Sequence, residues 1–529
     1  VTSEDTRDAD VAIVGYGPVG QVLAILLAQR GWRVVVLEKW STPYTMPRAV
    51  SFDGESARIL AGAGIDGVFG EIGEPSRDYT WKNAAGDVLL HVDIAEDGYC
   101  GWPDSTSMFQ PGLEEALADR GAELPGLEVL RGHAVVDLTD RGEDVELVAR
   151  DAEGDRLALT AAWVVGCDGA NSFVRERMGA TSTDLGFAND WLTCDVVMTE
   201  PREFAPNNLQ VCDPARPCTA VSAGPGHRRW EFMRLPDESR EEFDDVATAW
   251  RLLAPFDVTP DNAVLRRHAV YTFQARFVDR WRAGRLLLAG DAAHLMPPFA
   301  GQGMCSGFRD AANAAWKLDL VLRGRAHESL LDTYTVERRK HVQHAITMSV
   351  NLGRVICQPD PAAAADRDAA MLANRRRTAG TAGEPAVYQP LTDGLLWKHR
   401  DAVAALRGRL VPQGTVAADG HSGPFDDVVG RGFVLMTVDS PERLAPGRLA
   451  LLADLGAHVV QIVPATEEGH GASAVRDVDE VYLPYFSASG ARWVLVRPDF
   501  YVFGAVADES AAEDLVGGLG QRLGMPLAV

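Results

Sequence analysis

An apolar, β-branched run at residues 11–14 breaks into Gly15-Tyr16-Gly17-Pro18-Val19-Gly20 and restarts as an amphipathic stretch closing near Gly31. A second apolar run, RVVVLEKW, follows directly. Strand, glycine turn, helix and strand together predict a βαβ unit in a parallel sheet. The turn fits G-x-G-x-x-G in the place where that pattern has a physical meaning. Gly15 permits the tight turn, Gly17 lets the backbone approach a pyrophosphate, and Gly20 allows close contact between strand and helix. The helix N-terminus then meets negative charge. Glu38 closes the second strand, where a carboxylate accepts both ribose hydroxyls and repels a 2′-phosphate. The pattern favours an adenosine with a free 2′-OH, as in FAD or NAD; the alternative is a merely structural glycine turn.

Charge and composition remove other classes. Lys plus Arg total 51 against 75 for Asp plus Glu, a net charge of -24, which argues against a nucleic-acid surface or a polybasic membrane patch. The 529 residues, 46% of them hydrophobic, suit a large packed core in two or three domains. Seven cysteines in no repeating pattern predict neither a disulfide framework nor a metal site. The acidic, polar start and the lack of a long apolar run predict no leader and no membrane helix, and with the cysteine usage they point to the cytoplasm.

Further along, residues 113–124 read as helix, and residues 133–170 as a hairpin meander returning to the parallel sheet at Trp163–Gly166. Between 182 and 275, alternating runs suit a sheet with one face over a pocket. Residues 285–294 read as a buried strand and turn, and residues 307–324 and 329–356 as long helices. Residues 358–388 are the weakest candidate for packed core, and a small α/β unit ends the chain.

Two further runs carry a family resemblance. Asp168, Gly169, Ser172 and Arg175 in CDGANSFVR, with Gly290, Asp291, His294, Pro297 and Pro298 in AGDAAHLMPPFAGQG, resemble the two internal motifs of the class A FAD-dependent aromatic hydroxylases. The likeness is greatest to 3-(3-hydroxyphenyl)propionate hydroxylase-like enzymes and spans residues 10–350. It implies an α/β chain with a Rossmann-like FAD-binding domain, an interleaved β-sheet substrate domain in the p-hydroxybenzoate hydroxylase-like arrangement, and a C-terminal thioredoxin-like domain. The expected boundaries are 1–75, 111–181 and 276–357 for FAD binding, 76–110 and 182–275 for substrate, 358–395 for a linker or excursion, and 396–529 for the thioredoxin-like part. That last part has no cysteine, so the redox pair of true thioredoxins is missing.

The resemblance also assigns residues. Gly15, Gly17, Gly20, Glu38 and Lys39 would hold the ADP half of FAD, with Arg48 and Gln110 near the ribityl and ring regions. Asp168 and Gly169 belong to the motif that handles FAD and nicotinamide, and Asp291 would contact the ribityl chain. Pro298, Gly301, Gly303, Met304 and Cys305 would run beside the ring, Cys305 standing where relatives usually have Asn. There it reads as a small packed residue, a redox thiol being the alternative. Arg48, Asp168, His294 and Pro298 are the candidate catalytic residues, although a hydrogen bond that fixes the loop is the plainer role for His294.

The implied reaction is hydroxylation of a phenolic ring through a flavin C4a-hydroperoxide, with NADH or NADPH and O2 as cosubstrates and no metal. His227, Trp230, Phe232, Tyr271 and Phe273 are the candidate substrate residues. The run His227, Arg228, Arg229 could engage a carboxylate or be solvated surface. The chain is expected to act as a monomer or homodimer on a small aromatic molecule. Other readings are epoxidation or Baier-Villiger oxidation of a polycyclic intermediate, and a non-enzymatic flavin-bearing binding protein.

Overall fold

The computed structural model describes residues 7–43, 48–378, 388–466 and 473–525. Residues 1–6, read above as the acidic start, lie outside that description, as do Met46 and Pro47 before Arg48 and residues 379–387 of the expected linker. The chain divides into two compact units. One comprises Val1–Asp97, Pro103–Phe308 and Val342–Pro385; the other comprises Gly98–Trp102, Arg309–His341 and Ala386–Val529.

In the first unit the strand Ala9–Val14 lies between Val34–Glu38 and Arg156–Gly166, with Leu127–Arg131 and Leu286–Leu288 outside them, all parallel. The Val, Ile and Leu runs that looked like buried strands are buried, as a parallel sheet covered on both faces requires. An antiparallel meander, Ala134–Asp140 and Val145–Arg150, feeds the long strand Arg156–Gly166. This is a Rossmann-like α/β layer.

A second, largely antiparallel sheet of eight strands stands in the same unit. Its longest strands, Ser182–Met198 and Ala263–Val278, pair with each other, and the first also pairs with His227–Met233. Register decides which side chains share a face. Trp191 stands opposite Tyr271 and Met233, and Asp195 opposite Arg267 and Arg229, so these belong to one face. The opposite face carries Leu192, Cys194, Trp230 and Phe232, packed with Phe243, Ala249 and Leu253 of the helical segment that follows.

Within the linker or excursion expected at 358–395, residues Pro361–Thr378 form a helix. Arg367 holds it to the first unit through the carbonyls of Val355 (3.0 Å) and Cys212 (2.6 Å). Its Ala, Asp and Arg content makes it the weakest candidate for packed core, and its anchors are long-range contacts that composition does not carry. The expected FAD segment 276–357 is also divided, since residues 309–341 group with the second unit.

That second unit has a seven-stranded sheet around a core that includes Trp316, Trp397, Trp493 and Phe503. It also encloses a charged cluster. Glu337 accepts hydrogen bonds from Lys317 (2.7 Å), Arg497 (2.7 Å), Asn313 (2.8 Å) and the Leu395 N–H (2.7 Å), and Arg497 also bonds Asp499. Burial works against the charge on Glu337, but Arg497 and Lys317 outweigh it and hold the carboxyl at about 2. Two cations face two carboxylates, so the cluster closes without an uncompensated charge.

Among the described residues, no helix is long and apolar enough to cross a membrane. None of the seven cysteines, all of them described, is in a disulfide.

Glu337→Gln leaves Lys317 and Arg497 with Asp499 alone and should destabilise the protein by about 3–5 kcal/mol, read by urea unfolding at neutral pH. The depressed carboxyl stabilises the native protein above the usual carboxylate range, and that contribution is lost as pH falls toward about 2. Acid unfolding of the wild type should therefore steepen there, and the variant should lack that component.

Candidate active site

The glycine turn forms as the spacing demands. Gly15 has φ +100, and a Cβ there would stand 2.5 Å from the Cys167 carbonyl oxygen; one on Gly20 would stand 2.2 Å from the Gly15 oxygen. Both positions therefore hold the fold itself. Gly17 differs: a Cβ there meets nothing within 4 Å, and it caps the helix Pro18–Ala28 with no side-chain hydrogen bond. Open space before an uncapped helix N-terminus is what a pyrophosphate requires. Glu38 accepts the Tyr16 N–H (2.8 Å) and the Trp40 N–H (2.9 Å), which fix its carboxylate at the strand end with lone pairs to spare. Lys39 is exposed, its Nζ 5.3 Å from the Trp40 ring centroid. The donor set and the open cradle fit the ADP half of FAD.

Three segments meet at Arg48. Gln110 Oε1 accepts the N–H of Arg48 (2.8 Å) and of Ala49 (2.7 Å), while its amide donates to Glu114 (2.7 Å). Gln110, expected at the ribityl chain, thus spends most of its side-chain polarity on positioning Arg48. The Arg48 guanidinium reaches Asp291 (3.0 Å), both side chains remaining partly exposed. Its carbonyl accepts from Arg229 (2.6 Å) on the second sheet.

The turn around Asp168 is self-contained. Asp168 accepts from the Ser172 hydroxyl and the Val174 N–H, and Ser172 caps the helix Phe173–Arg177. Burial raises the Asp168 carboxyl, opposed by those hydrogen bonds. Arg175 donates to the Ala292 carbonyl (2.9 Å) and joins this turn to the Asp291 turn. Each Asp168 oxygen accepts one hydrogen bond within its own turn, which fixes the direction of the carboxylate. Gly169 has φ +79, which a side chain rarely adopts.

His294 is an enclosed side chain. It is 2% exposed, on a short strand paired with Phe277, its ring centroid 5.4 Å from that of Trp281. Pro298 is exposed and opens the turn Pro298–Ala300. Gly301, with φ +64, hands the chain to the helix Gln302–Leu322, whose first residues include Gly303, Met304 and Cys305. Backbone N–H groups of a first turn lack intrahelical partners and suit a ring carbonyl that gains negative charge. Cys305 is buried and its thiol donates to the Gly301 carbonyl at 3.5 Å, a packed residue in place of an amide.

The substrate residues separate by face. Tyr271 and Phe273 share the face that carries Trp191, and His227 lies on it stacked 4.0 Å from Phe109. Burial and Arg266 lower the His227 pKa, opposed by Asp195. Trp230 and Phe232 are corrected: the strand alternation turns them to the opposite face, where Phe256 and the helix Val246–Leu253 bury them. Arg228 goes with them, stacked over Phe204 at 3.9 Å.

Several residues on the inward face had no local signal. Phe299 packs against Phe187, Trp191 and Phe273 at 5.5–6.0 Å between centroids, joining the loop after Asp291 to the second sheet. Asp195 takes a two-pronged contact from Arg229 (2.7 and 3.1 Å) and another from Arg267 (2.7 Å). Arg267 also donates to the Tyr271 hydroxyl (2.9 Å). Glu231, raised by burial against the pull of Arg229, stands 3.9 Å from that guanidinium. Among the described residues, no His, Cys, Asp and Glu group is arranged to hold a metal.

Residues 8–349 match the family model described as FAD binding domain, and residues 408–519 match the one described as HcaD C-terminal domain. The chain is 41% identical over 522 residues to a probable NADH-specific resorcinol 4-hydroxylase of Rhodococcus jostii (strain RHA1), covering 98% of this chain and 95% of the relative. It is 34% identical over 527 residues to a 3-(3-hydroxy-phenyl)propionate/3-hydroxycinnamic acid hydroxylase of Mycolicibacterium gilvum (strain PYR-GCK), covering 96% and 91%. Among solved structures, the OxyS anhydrotetracycline hydroxylase from Streptomyces rimosus superposes with a TM-score of 0.73 at 26% identity, covering 98% of this chain and 100% of that one. The chain belongs to the class A FAD-dependent aromatic hydroxylases, with the Rossmann-like FAD-binding fold of p-hydroxybenzoate hydroxylase-like monooxygenases. It is a flavin monooxygenase that hydroxylates a phenolic ring with FAD, NAD(P)H and O2.

Gly17→Val should purify folded, with an unchanged apo melting temperature, yet retain little FAD per chain, because its side chain fills only the pyrophosphate's space. Full FAD occupancy would contradict that placement. Phe232→Ala should cost about 3–5 kcal/mol of stability while leaving the KM for the phenol unchanged in the folded fraction. A large KM change at constant stability would return Phe232 to the substrate face.

Proposed function

We propose that the protein hydroxylates a small, uncharged phenol of the 1,3-dihydroxybenzene class and draws its electrons from NADH. The observation that carries this reading is the 41% identity across 98% of the chain to a relative named for that substrate and that nicotinamide. The inward face of the second sheet agrees with it. Trp191, Phe273 and Phe299 offer aromatic walls, and the nearby cations Arg229 and Arg267 are engaged by Asp195.

FAD, when bound, supplies the redox ring on which reduction by the nicotinamide and activation of oxygen take place. The chain's own residues do the rest. Gly15, Gly17, Gly20 and Glu38 would hold the adenosine diphosphate half, and Arg48 and Asp291 would hold the ribityl region. The N–H groups of the N-terminal turn at Gly303 and Met304 would stabilise negative charge on the ring. Tyr271, whose oxygen accepts from Arg267, is placed to take a hydrogen bond from a substrate hydroxyl or give one to it. The aromatic walls keep water from the reacting centre, which limits wasteful loss of reducing equivalents.

We read residues 396–529 as thioredoxin-like. Support comes from strand order: Val502–Val506, Trp493–Val496, Val434–Thr437 and His458–Pro464 lie side by side in that sequence, and Trp493–Val496 runs antiparallel to both its neighbours. With no cysteine present, this part serves packing. A nicotinamide cosubstrate and seven cysteines outside any disulfide favour the cytoplasm.

Aerobic oxidation of NADH and NADPH by the FAD-loaded protein tests the reading, with resorcinol and 3-(3-hydroxyphenyl)propionate compared and each product identified by mass and NMR. Resorcinol should accelerate NADH oxidation and gain one ring hydroxyl. Coupled hydroxylation of the propionate alone, or ring insertion of oxygen, would overturn the proposal.

A further inference from the structure

Two guanidinium groups on the inward face of the second sheet would be well placed to bind a ligand carboxylate. Arg229 is 2% exposed, and the Arg267 side chain 10%. Buried guanidinium forks form strong two-pronged contacts with carboxylates wherever their donors are available. Here one internal carboxylate takes three of their six nitrogens. Asp195 takes both the Nε and an Nη of Arg229, and an Nη of Arg267 (2.7 Å). The other Nη of Arg229 is spent on the Arg48 carbonyl, and the other Nη of Arg267 on the Tyr271 hydroxyl. Glu231 adds a second acidic side chain on the same strand face, 3.9 Å from Arg229. Of the remaining nearby cations, Arg48 pairs with Asp291, Arg228 lies on the other face, and Arg266 is exposed to solvent.

We propose that Asp195 is a specificity-determining residue: by occupying Arg229 and Arg267 it denies a fork to carboxylate-bearing aromatic substrates and reserves the pocket for those whose polar groups are hydroxyls. This rests on the reading above that the Tyr271 face lines the substrate pocket. A bound aromatic acid would have to displace Asp195 from both guanidiniums or place its charge beside that carboxylate, and either course costs binding. A phenol asks for neither, and it can use the Tyr271 hydroxyl directly. Removing Asp195 should convert the closed pair into an anion site.

The test compares FAD-loaded wild type, Asp195→Ala and Asp195→Ala/Arg267→Met. Dissociation constants for resorcinol and for 3-(3-hydroxyphenyl)propionate are read from the change in flavin absorbance under anaerobic conditions. The wild type should bind resorcinol and reject the acid. Asp195→Ala should bind the acid at least about tenfold more tightly than the wild type does, and the double variant should lose that gain. A simple loss of structure would weaken both ligands and could not produce a gain that depends on Arg267. If Asp195→Ala fails to retain FAD, Asp195→Asn carries the same comparison, because it keeps the shape and removes the charge.

Unchanged rejection of the acid by a variant that still binds resorcinol overturns this inference alone. A wild type that binds the acid as tightly as resorcinol overturns it as well. A wild type that binds and hydroxylates neither overturns the substrate reading on which it rests.

Discussion

The short segment around Arg48 is where the cofactor-binding layer and the second sheet of the first unit are tied together. Its N–H is held by Gln110, its carbonyl by Arg229 and its guanidinium by Asp291, which fixes one residue against three elements far apart in sequence. The Asp291 turn is in turn held to the Asp168 turn through Arg175, and Phe299 just beyond it packs on Trp191 and Phe273. Polar contacts on one side and aromatic packing on the other therefore fix the Pro298–Met304 segment, the proposed place of the flavin ring, against the sheet face that carries Trp191 and Tyr271. A shift in any one of these would be felt at the others, because none has slack: Gln110, Asp168 and Arg229 spend their polar atoms within the protein.

How much of this can be read from sequence depends on whether the chemistry is local. The glycine turn and Glu38 are legible because a tight turn, a close backbone approach and a strand-end carboxylate lie within one βαβ unit. The Asp168 and Asp291 motifs are legible as patterns, but the direction of Asp168 is not, since it depends on Ser172 and Val174 folding back on it. Trp230 and Phe232 show the limit most clearly. Alternation says that they share a face and that His227 and Arg229 share the other, yet only the pairing with Ser182–Met198 and the helix over Leu192 and Cys194 says which face is inward. Asp195 carries no motif at all, and its meaning comes from standing opposite Arg229 and Arg267 on two neighbouring strands. The helix Pro361–Thr378 was hidden for the same reason, its anchors being the distant carbonyls of Val355 and Cys212.

The two units handle buried charge in similar ways for different ends. In the second, Glu337 and Asp499 close on Lys317 and Arg497 deep in the core, where the only consequence is stability. In the first, Asp195 closes on Arg229 and Arg267 at a face that also carries Tyr271, which is the ground for proposing that it decides which ligands are accepted. A buried ion pair is weak evidence for stability.

Hydrogen–deuterium exchange of the apo and FAD-loaded protein, followed by addition of resorcinol to the loaded form, tests the central placement most directly. The account predicts that FAD slows exchange at residues 15–20 and 301–305 and steadies residues 48–50, and that resorcinol then slows exchange in the strands around Trp191 and Tyr271. Protection by FAD that bypassed 15–20 and 301–305, or resorcinol protection confined to the helix Val246–Leu253 on the far side of the sheet, would contradict it.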